Sequence, residues 1–398
     1  MGLQTFTRDN IGCLLGGALL VTLLLLPVVS LEPNRIMPGE PLLLWEATSL
    51  STLGLLLALL LPTCGLLTVT HGLPLRLILL TATLLSLFYV IGASASELVA
   101  QASPLARVSL GSGFWGSTFC LALLLSDNVI KLALAPLARL AWILLLMASI
   151  LALLASGHWD NLSLLKEYHS QSDFWAQGLR HLQLSLGSLV PALLVGIPLG
   201  IRCHRSPRLH ALLLPLLNVL QTIPSLAMFG MLMVPLGLLA HHYPIVAKVG
   251  ISGIGAAPAI IALFFYALLP IVSNTRLGFA QVDSQVREAA RGMGMSAWQS
   301  LWQVEFPLAM PVILTGVRVI LVMNIGLVAV AALVGGGGFG TYIFQGLGQA
   351  ANELVMLGAL PTVILAFLCA TLIDTLIALQ KGINMIEVSG LSKQFGEQ

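Results

Sequence analysis

The 398-residue chain is unusually apolar: 58% of its residues are hydrophobic and only 9% are charged. Soluble domains carry roughly 25% charged residues, so this composition excludes an ordinary soluble protein and predicts that most of the chain lies in a lipid bilayer. The formal net charge is +2 and the basic residues are scattered, which argues against a nucleic-acid-binding protein. The five cysteines lie mostly inside apolar runs and form no C-x-x-C pair, a pattern typical of small apolar side chains rather than of disulfides or zinc sites.

Apolar runs of the length that spans a bilayer, about 20 residues each, recur along the chain. Arg8 precedes the first run, and no convincing small-x-small cleavage site follows it, so we predict an uncleaved first span rather than a signal peptide. The sequence therefore predicts an all-α polytopic membrane protein with about ten transmembrane helices. The runs lie near residues 11–30, 43–69, 74–92, 107–125, 138–156, 182–201, 209–239, 251–273, 308–334 and 353–379.

The distribution of lysine and arginine predicts the side of the membrane on which each loop lies. If both termini are cytoplasmic, twelve basic residues fall on the cytoplasmic side and five on the external side, while Arg318 lies inside a span. This bias predicts cytoplasmic N- and C-termini, because positive charge concentrates in cytoplasmic loops. The twelve are Arg8, Arg76, Lys131, Arg139, Arg202, Arg205, Arg208, Arg276, Arg287, Arg291, Lys381 and Lys393, and the five are Arg35, Arg107, Lys166, Arg180 and Lys248.

A polar stretch that contains several aromatic residues divides the chain near its middle. Aromatic side chains of this kind suit the membrane–water interface. We predict an N-terminal membrane domain of about five spans at residues 1–156, an external interfacial linker at 157–181, a second membrane domain at 182–380 and a cytoplasmic tail at 381–398. No convincing repeat relates the two halves, which disfavours an inverted-repeat transporter.

A second polar segment, residues 274–307, separates two apolar runs of the C-terminal half. Asp283 can cap a short helix over Gln285–Met293. Glu288 lies early in this helix, where the helix dipole favours a carboxylate. The two small residues that follow it leave a low surface that another backbone can approach closely; they are Ala289 and Ala290.

The rest of this segment is predicted to turn and to enter the next span. Gly294 suits the left-handed residue that ends a helix, and Ser296 can cap a second short helix. Trp298 and Trp302 share a face of that helix because they are four residues apart. Pro307 suits the first turn of the following span. Periodicity alone would equally fit an ordinary amphipathic loop helix.

The spacing within the segment resembles the cytoplasmic coupling loop of ABC importer permeases. The shared pattern is Glu-Ala-Ala, three residues, Gly, nine residues and an apolar-x-apolar-Pro close, which here begins at Glu288 and ends at Pro307. The flanking spans extend the resemblance across residues 178–380. Residues 182–202, which include the stretch 195–201, look like the opening span of the permease domain. Residues 217–227 and 267–275 are similar to permeases for osmoprotectants such as glycine betaine, choline and carnitine, and the five preceding spans look like a long-chain subtype of that class.

The resemblance implies the type I ABC importer permease fold for the C-terminal half, in the inner membrane of a bacterium. It implies a transporter subunit with no catalytic residues, metal or cofactor of its own. The implied partners are ABC ATPase subunits, an external substrate-binding protein, membrane lipid and a second permease, either identical or paralogous. The implied cargo is a compatible solute such as glycine betaine. The residues implied to couple the permease to the ATPase are Glu288, Ala289, Ala290, Gly294 and Pro307.

The sequence leaves other functions open. An ABC permease for an amino acid or another small polar nutrient would carry nearly the same loop. A stand-alone secondary carrier or a membrane scaffold, neither of which depends on an ATPase, is the alternative from a different class. The coupling-loop spacing argues against that alternative.

Polar side chains surround Pro224 inside the seventh apolar run. Polar groups at membrane depth face a cavity or another helix. They therefore suit either the lining of a translocation path or hydrogen bonds between helices, and the sequence does not separate the two. The residues are Asn218, Gln221, Thr222 and Ser225.

Arg318 and Asp374 are charged residues within the last two apolar runs. A charge inside a membrane is costly without a partner. We expect a structural ion pair or contacts with backbone carbonyls rather than contact with a substrate.

Three further motifs bear on nucleotide or metal binding. The glycine cluster at residues 335–340 is no phosphate loop, because no lysine in the chain follows a glycine; a flexible loop and a plain loop both fit it. The adjacent pair His241-His242 has poor geometry for one metal ion. Residues 385–396 resemble the opening of an ABC ATPase but lack its phosphate loop, so they cannot bind ATP.

Overall fold

The structure is a computed structural model that describes residues 9–35, 37–103 and 105–384. Within this part of the chain nine helices are long and apolar enough to cross a membrane, and Asn10–Leu25 is a shorter apolar helix. The prediction of an all-α polytopic membrane protein is confirmed. The ATPase-like segment 385–396 lies outside the described residues.

The chain forms two compact units, which meet in sequence between Ser172 and Asp173. This boundary falls inside the range 157–181 that the sequence predicts as a linker. Part of that range is core structure of the first unit, because Trp159 is buried and its ring stacks on Phe88 with centroids 5.1 Å apart. The remainder of the range, from Phe174 onward, already belongs to a long helix.

Among its described residues, the first unit contains seven helices and three short strands. Its elements in chain order are α1 Asn10–Leu25, β1 Val29–Glu32, β2 Glu40–Leu42, α2 Leu44–Ala47, α3 Leu50–Leu67, α4 Leu73–Ala100, β3 Arg107–Leu110, α5 Ser112–Leu132, α6 Pro136–Ala155 and α7 Ser163–Ser170.

The three strands form an antiparallel sheet in the order β2-β1-β3. This sheet was not predicted from the sequence, which indicated the start of a span at Arg107, where β3 begins instead. The strands are three or four residues long and each overlaps or adjoins a predicted apolar run, so their period-two pattern is too short to stand out.

Charged residues of this unit form two clusters, one beside the sheet and the other at the opposite ends of the helices. At one end of the unit Arg76, at the start of α4, contacts Asp9, with 2.6 Å between guanidinium nitrogen and carboxylate oxygen. Asp127 and Lys131 of α5 complete this cluster, since Lys131 lies 2.7 Å from Asp9 and 2.6 Å from Asp127. Arg76 is fully buried, so its guanidinium depends on these carboxylates for solvation.

At the sheet end, the buried carboxylate of Glu167 accepts hydrogen bonds from Arg107 at 2.8 Å and from Arg35 at 3.1 Å. Lys166 donates to the carbonyl of Ala106 at 2.8 Å. The basic residues assigned to opposite sides of the membrane by sequence therefore collect at opposite ends of the helices of this unit.

The second unit is helical and built around α12. Its elements are α8 Phe174–Arg205, α9 Pro207–Thr222, α10 Ser225–His242, α11 Pro244–Lys248, α12 Ala256–Ala280, α13 Ser284–Gly292, α14 Ala297–Ser300, a π-helical segment Leu301–Glu305, α15 Phe306–Ala331, a 3-10 turn Ala332–Val334, α16 Gly340–Gln349 and α17 Asn352–Asn384. Helix α12 packs between α8 and α15 through small residues. Gly196, Gly200 and Gly278 lie so close to neighbouring helices that an added Cβ would meet an atom within 3.0 Å.

The apolar run 209–239, predicted as one span, is two helices in the structure. It breaks at Ile223, which has an extended backbone with φ −67° and ψ 125°. The cause is Pro224, because a proline disfavours helical geometry in the residue before it.

The glycine cluster at 335–338 is held in place by one face of α8. The side-chain amide oxygen of Gln177 accepts from the backbone N–H of Gly338 at 2.8 Å, and the Arg180 side chain donates to the backbone carbonyl of Gly336 at 3.0 Å. His181 is buried and lies 3.3 Å from the backbone nitrogen of Phe339. The sequence fits a flexible loop and a plain loop equally at this position. In the structure it is a turn held by side chains of α8, and its left-handed residues include Gly337 and Gly338.

Beside this turn, the hydroxyl of the buried Tyr342 donates to Asp173 at 2.8 Å. Hydrogen bonds from Gln177 and Tyr342 lower the pKa of Asp173 below its ordinary value of 3.8. Burial and the Asp173 carboxylate raise the pKa of Tyr342. The contact thus joins the start of α8 to α16 through a charged acceptor.

We expect Tyr342→Phe to lower the free energy of unfolding by about 1 kcal/mol at neutral pH, because it removes a hydrogen bond to a carboxylate that is itself exposed. Since the folded-state pKa of Asp173 is depressed, this contribution is present above pH 3.8 and is lost as pH falls through the folded-state pKa. Chemical denaturation at pH 7 and at acidic pH measures the difference. Tyr243→Phe, at an exposed tyrosine, is the matched control, and an equal loss in both variants would contradict the assignment.

Candidate functional site: the coupling loop

The first arm of the candidate coupling loop is α13, which forms where the sequence predicts a short helix. The Asp283 carboxylate accepts from the backbone N–H of Gln285 at 2.9 Å and caps the helix. Glu288 and Ala289 lie on its exposed face. Ala290 is buried instead. Only Ala289 therefore contributes to the low exposed surface that was expected over both alanines. The predicted loop range also begins too early, because α12 continues to Ala280.

The turn after α13 is a Schellman motif. Gly294 is left-handed with φ +80°, as predicted from sequence. Its N–H donates to the carbonyl of Arg291 at 2.9 Å, and the N–H of Met295 donates to the carbonyl of Ala290 at 3.1 Å. These two bonds satisfy carbonyls that a helix end would otherwise leave unpaired.

The second arm runs without a break into the next span. Ser296 and Gln299 form a reciprocal capping box at the start of α14. The π-helical segment follows, and Pro307 lies in the first turn of α15. The rings of Trp298 and Trp302 have centroids 5.5 Å apart, as expected from their spacing, and both rings are exposed.

A pocket of about 310 Å³ opens between this loop and the end of α8. Its lining joins residues from α8, α13, α14 and the π-helical segment. From the sequence, Arg205, Arg287 and Arg291 entered only the charge count, and nothing predicted that they would line one pocket. The contact between Arg287 and His204 spans 83 positions, and no local pattern signals a contact of that range. The lining residues are His204, Arg205, Arg287, Arg291, Ala297, Ser300 and Glu305.

The four polar residues proposed from sequence for the translocation path lie around the break between α9 and α10. Asn218 and Thr222 are exposed and four residues apart on α9, so they share a face. Gln221 points elsewhere and donates from its amide to the carbonyl of Tyr266 at 2.8 Å. Ser225 is the first residue of α10. Asn218 and Thr222 therefore lie on an exposed face of α9, whereas Gln221 forms a hydrogen bond between two helices.

Arg318 of α15 and Asp374 of α17 form an ion pair with 2.7 Å between nitrogen and oxygen. The ion pair expected from sequence is confirmed. Their side chains are 44% and 33% exposed on this chain.

We expect Gly294→Ala to loosen the coupling loop. An alanine in the left-handed region costs about 1–2 kcal/mol, although space for a Cβ is open at this position. Faster amide exchange across α13 would report the loss. Gly292→Ala is the matched control: its Cβ also meets open space, its φ is ordinary, and alanine in a helix gains up to about 1 kcal/mol. Equal exchange in the two variants would show that the left-handed turn does not hold the loop.

Comparison with known proteins places these features in a family. A family model described as binding-protein-dependent transport system inner membrane component matches residues 192–381, which contain the whole loop. A model described as ABC transporter permease YehY, N-terminal domain, matches residues 8–165.

Several curated relatives are similar to the second unit. The chain is 40% identical over 197 residues to the osmoprotectant import permease protein OsmW of Salmonella typhimurium, covering 50% of this chain and 86% of that protein. It is 38% identical over 188 residues to the glycine betaine/carnitine/choline transport system permease protein OpuCB of Bacillus subtilis, covering 47% of this chain and 79% of that protein. Among solved structures, inward-facing conformations of the MetNI methionine ABC transporter match with a TM-score of 0.45 and 20% identity, over 51% of this chain and 93% of that chain.

The second unit thus matches a family model over residues 192–381 and covers 86% of a relative to which it is 40% identical. The chain belongs to the binding-protein-dependent transport system inner membrane component family.

Proposed function

We propose that this chain is the transmembrane permease subunit of an ATP-driven importer that translocates a compatible solute such as glycine betaine. The observation that carries the proposal is the 40% identity with an osmoprotectant import permease across 86% of its length. Other relatives at 38% identity are named for transport of glycine betaine, carnitine and choline. These three molecules share a quaternary ammonium group, so one transport path of modest selectivity suits them all.

In this proposal the coupling loop transmits force and performs no chemistry. Glu288 and Ala289 form the exposed contact for an ABC ATPase subunit, which hydrolyses ATP. Ala290 anchors α13 to the unit from its buried side, and Gly294 sets the turn between the two arms. Pro307 fixes the entry of the loop into α15, so that movement of the loop reaches that span.

The same proposal places both chain termini and the coupling loop in the cytoplasm. It is supported by the charge bias of the loops and by the position of the charge clusters at opposite ends of the first unit. A second permease, identical or paralogous, completes the path, and an external binding protein delivers the solute. Asn218 and Thr222, exposed on one face of α9, are the path residues best placed to meet it, with Gln221 and Ser225 beside the break.

Uptake by a reconstituted complex tests the function. The full chain is placed in proteoliposomes with its ATPase, its external binding protein and any paralogous permease with which it co-purifies, and radiolabelled glycine betaine is supplied outside. We expect uptake that requires ATP and the binding protein and that unlabelled choline or carnitine inhibits. Uptake without ATP would indicate a secondary carrier. Uptake of amino acids, with glycine betaine neither transported nor competing, would indicate a nutrient permease instead.

A further inference from the structure

The pocket between the coupling loop and α8, called the basic pocket below, carries an excess of positive charge. Three of its lining residues are arginines, namely Arg205, Arg287 and Arg291, and Glu305 is its one carboxylate. Within residues 9–35, 37–103 and 105–384 none of these arginines has a carboxylate oxygen within 4.0 Å. The charge of the basic pocket is thus not neutralised by close ion pairs, in contrast to the clusters around Arg76.

Glu305 does not cancel this excess. It is 8% exposed and accepts a hydrogen bond from the Ser300 hydroxyl at 3.3 Å, so its carboxylate is held by the loop itself. One carboxylate against three guanidinium groups leaves a net charge of about +2 in a space of about 310 Å³. At roughly 30 Å³ per water molecule this space holds on the order of ten waters, which is ample for one phosphate group.

The chemistry of the lining indicates which anion suits the pocket. Guanidinium groups bind phosphate oxygens through paired, charge-assisted hydrogen bonds. Arg287 and Arg291 are four residues apart on α13 and therefore share a face. Arg205 ends α8, a helix long and apolar enough to cross the membrane. The pocket therefore lies where a span leaves the bilayer, at the depth of lipid headgroups.

We propose that the basic pocket is a binding site for a phosphate-bearing anion, supplied either by an anionic lipid headgroup or by free phosphate. The anion joins α13 to the end of α8, because Arg287 and Arg291 come from the first and Arg205 from the second. His204 lies 3.5 Å from Arg287 across the same junction. Occupancy holds α13 in one position on the unit and so fixes the direction in which Glu288 and Ala289 face.

Amide hydrogen exchange over residues 284–292 measures this effect on the purified full chain. The chain is placed in nanodiscs of phosphatidylglycerol, in nanodiscs of phosphatidylcholine, and in phosphatidylcholine nanodiscs with added inorganic phosphate. A ligand at ten times its Kd suppresses opening that requires its release about tenfold. We expect exchange in α13 to slow by about that factor in phosphatidylglycerol if the source is lipid, and with added phosphate if the source is soluble.

Variants separate the pocket from general charge effects. Arg287→Gln with Arg291→Gln should abolish the slowing, whereas Arg287→Lys, which keeps the positive charge but loses the paired hydrogen bonds, should reduce it only in part. Arg208→Gln, which removes a nearby exposed arginine outside the pocket, should leave it intact. Equal exchange in all three nanodisc conditions would overturn the proposal, as would slowing that survives in the double variant. Slowing that appears only when the ATPase subunit is added would assign the arginines to a protein contact and would also overturn it.

Discussion

Glu288→Arg should abolish ATP-driven solute uptake while leaving the chain folded in the membrane. Glu288 is exposed on α13, so the substitution costs the isolated chain little. At a contact with the ATPase, reversing a charge costs about 2–5 kcal/mol, which weakens binding roughly 30-fold to several thousand-fold. Co-purification with the ATPase and uptake by the reconstituted complex measure the two consequences.

Gln281→Arg is the control for this prediction. Gln281 is also exposed and lies just before α13, so the variant adds a positive charge to the same loop without touching the proposed contact. We expect it to retain ATPase binding and uptake. Full uptake by Glu288→Arg would remove the coupling role from this residue and would favour a carrier that does not use the ATPase.

The second large effect concerns the charge cluster of the first unit. Arg76→Met should lower the free energy of unfolding of this unit by about 3–5 kcal/mol, because Lys131 alone then faces the two carboxylates and one negative charge of the cluster is left uncompensated. Asp9 is the most affected, since it is buried and lies 2.6 Å from Arg76. Burial alone would raise the pKa of Asp9, but hydrogen bonds from Lys131, Arg76 and the Gly12 N–H outweigh it and lower the pKa. The Asp9 contribution is therefore complete above its unfolded pKa of 3.8 and is lost as pH falls through the depressed folded-state pKa.

Thermal and chemical unfolding in detergent at neutral pH measure this loss. Arg139→Met is the matched control, because Arg139 is only partly buried and has no carboxylate within 4.0 Å in the described part of the chain. We expect its effect to stay below about 1 kcal/mol. Adding Asp9→Asn to Arg76→Met should restore part of the stability, since Asp127 and Lys131 then remain as a balanced pair 2.6 Å apart. A double variant as unstable as the single one would show that Arg76 acts through packing.

Local patterns predicted the coupling loop well because its contacts are local. The Asp283 cap, the left-handed Gly294, the Ser296 cap and the position of Pro307 each depend on residues at most a few positions apart. Ala290 was expected on the exposed face but is buried. A helix of nine residues has too few apolar positions to show which of its faces is buried. The roles of these residues in coupling remain proposals.

Contacts between residues far apart in the chain could not be predicted from the sequence. The sheet of the first unit pairs Val29 with Leu110, and Arg76 meets Asp9 across 67 positions. Apolar runs show that a helix is buried in lipid, but they do not show which polar side chains meet at its ends. The contact of His181 with the 335–338 turn could not be predicted either, because the two lie about 158 positions apart in the chain.

The absence of a break between α14 and α15 has a mechanical consequence. Residues 297–334 form one continuous helical stretch of 38 residues, which at 1.5 Å per residue is about 57 Å long. One end carries Trp298, and the other end leads into the turn that α8 holds at Gly336 and Gly338. A displacement of α14 therefore passes along one continuous helix to that turn. Helix α13, in contrast, is joined to this helix only through the hydrogen-bonded turn at Gly294, so the two arms of the loop differ in how directly they connect to the span.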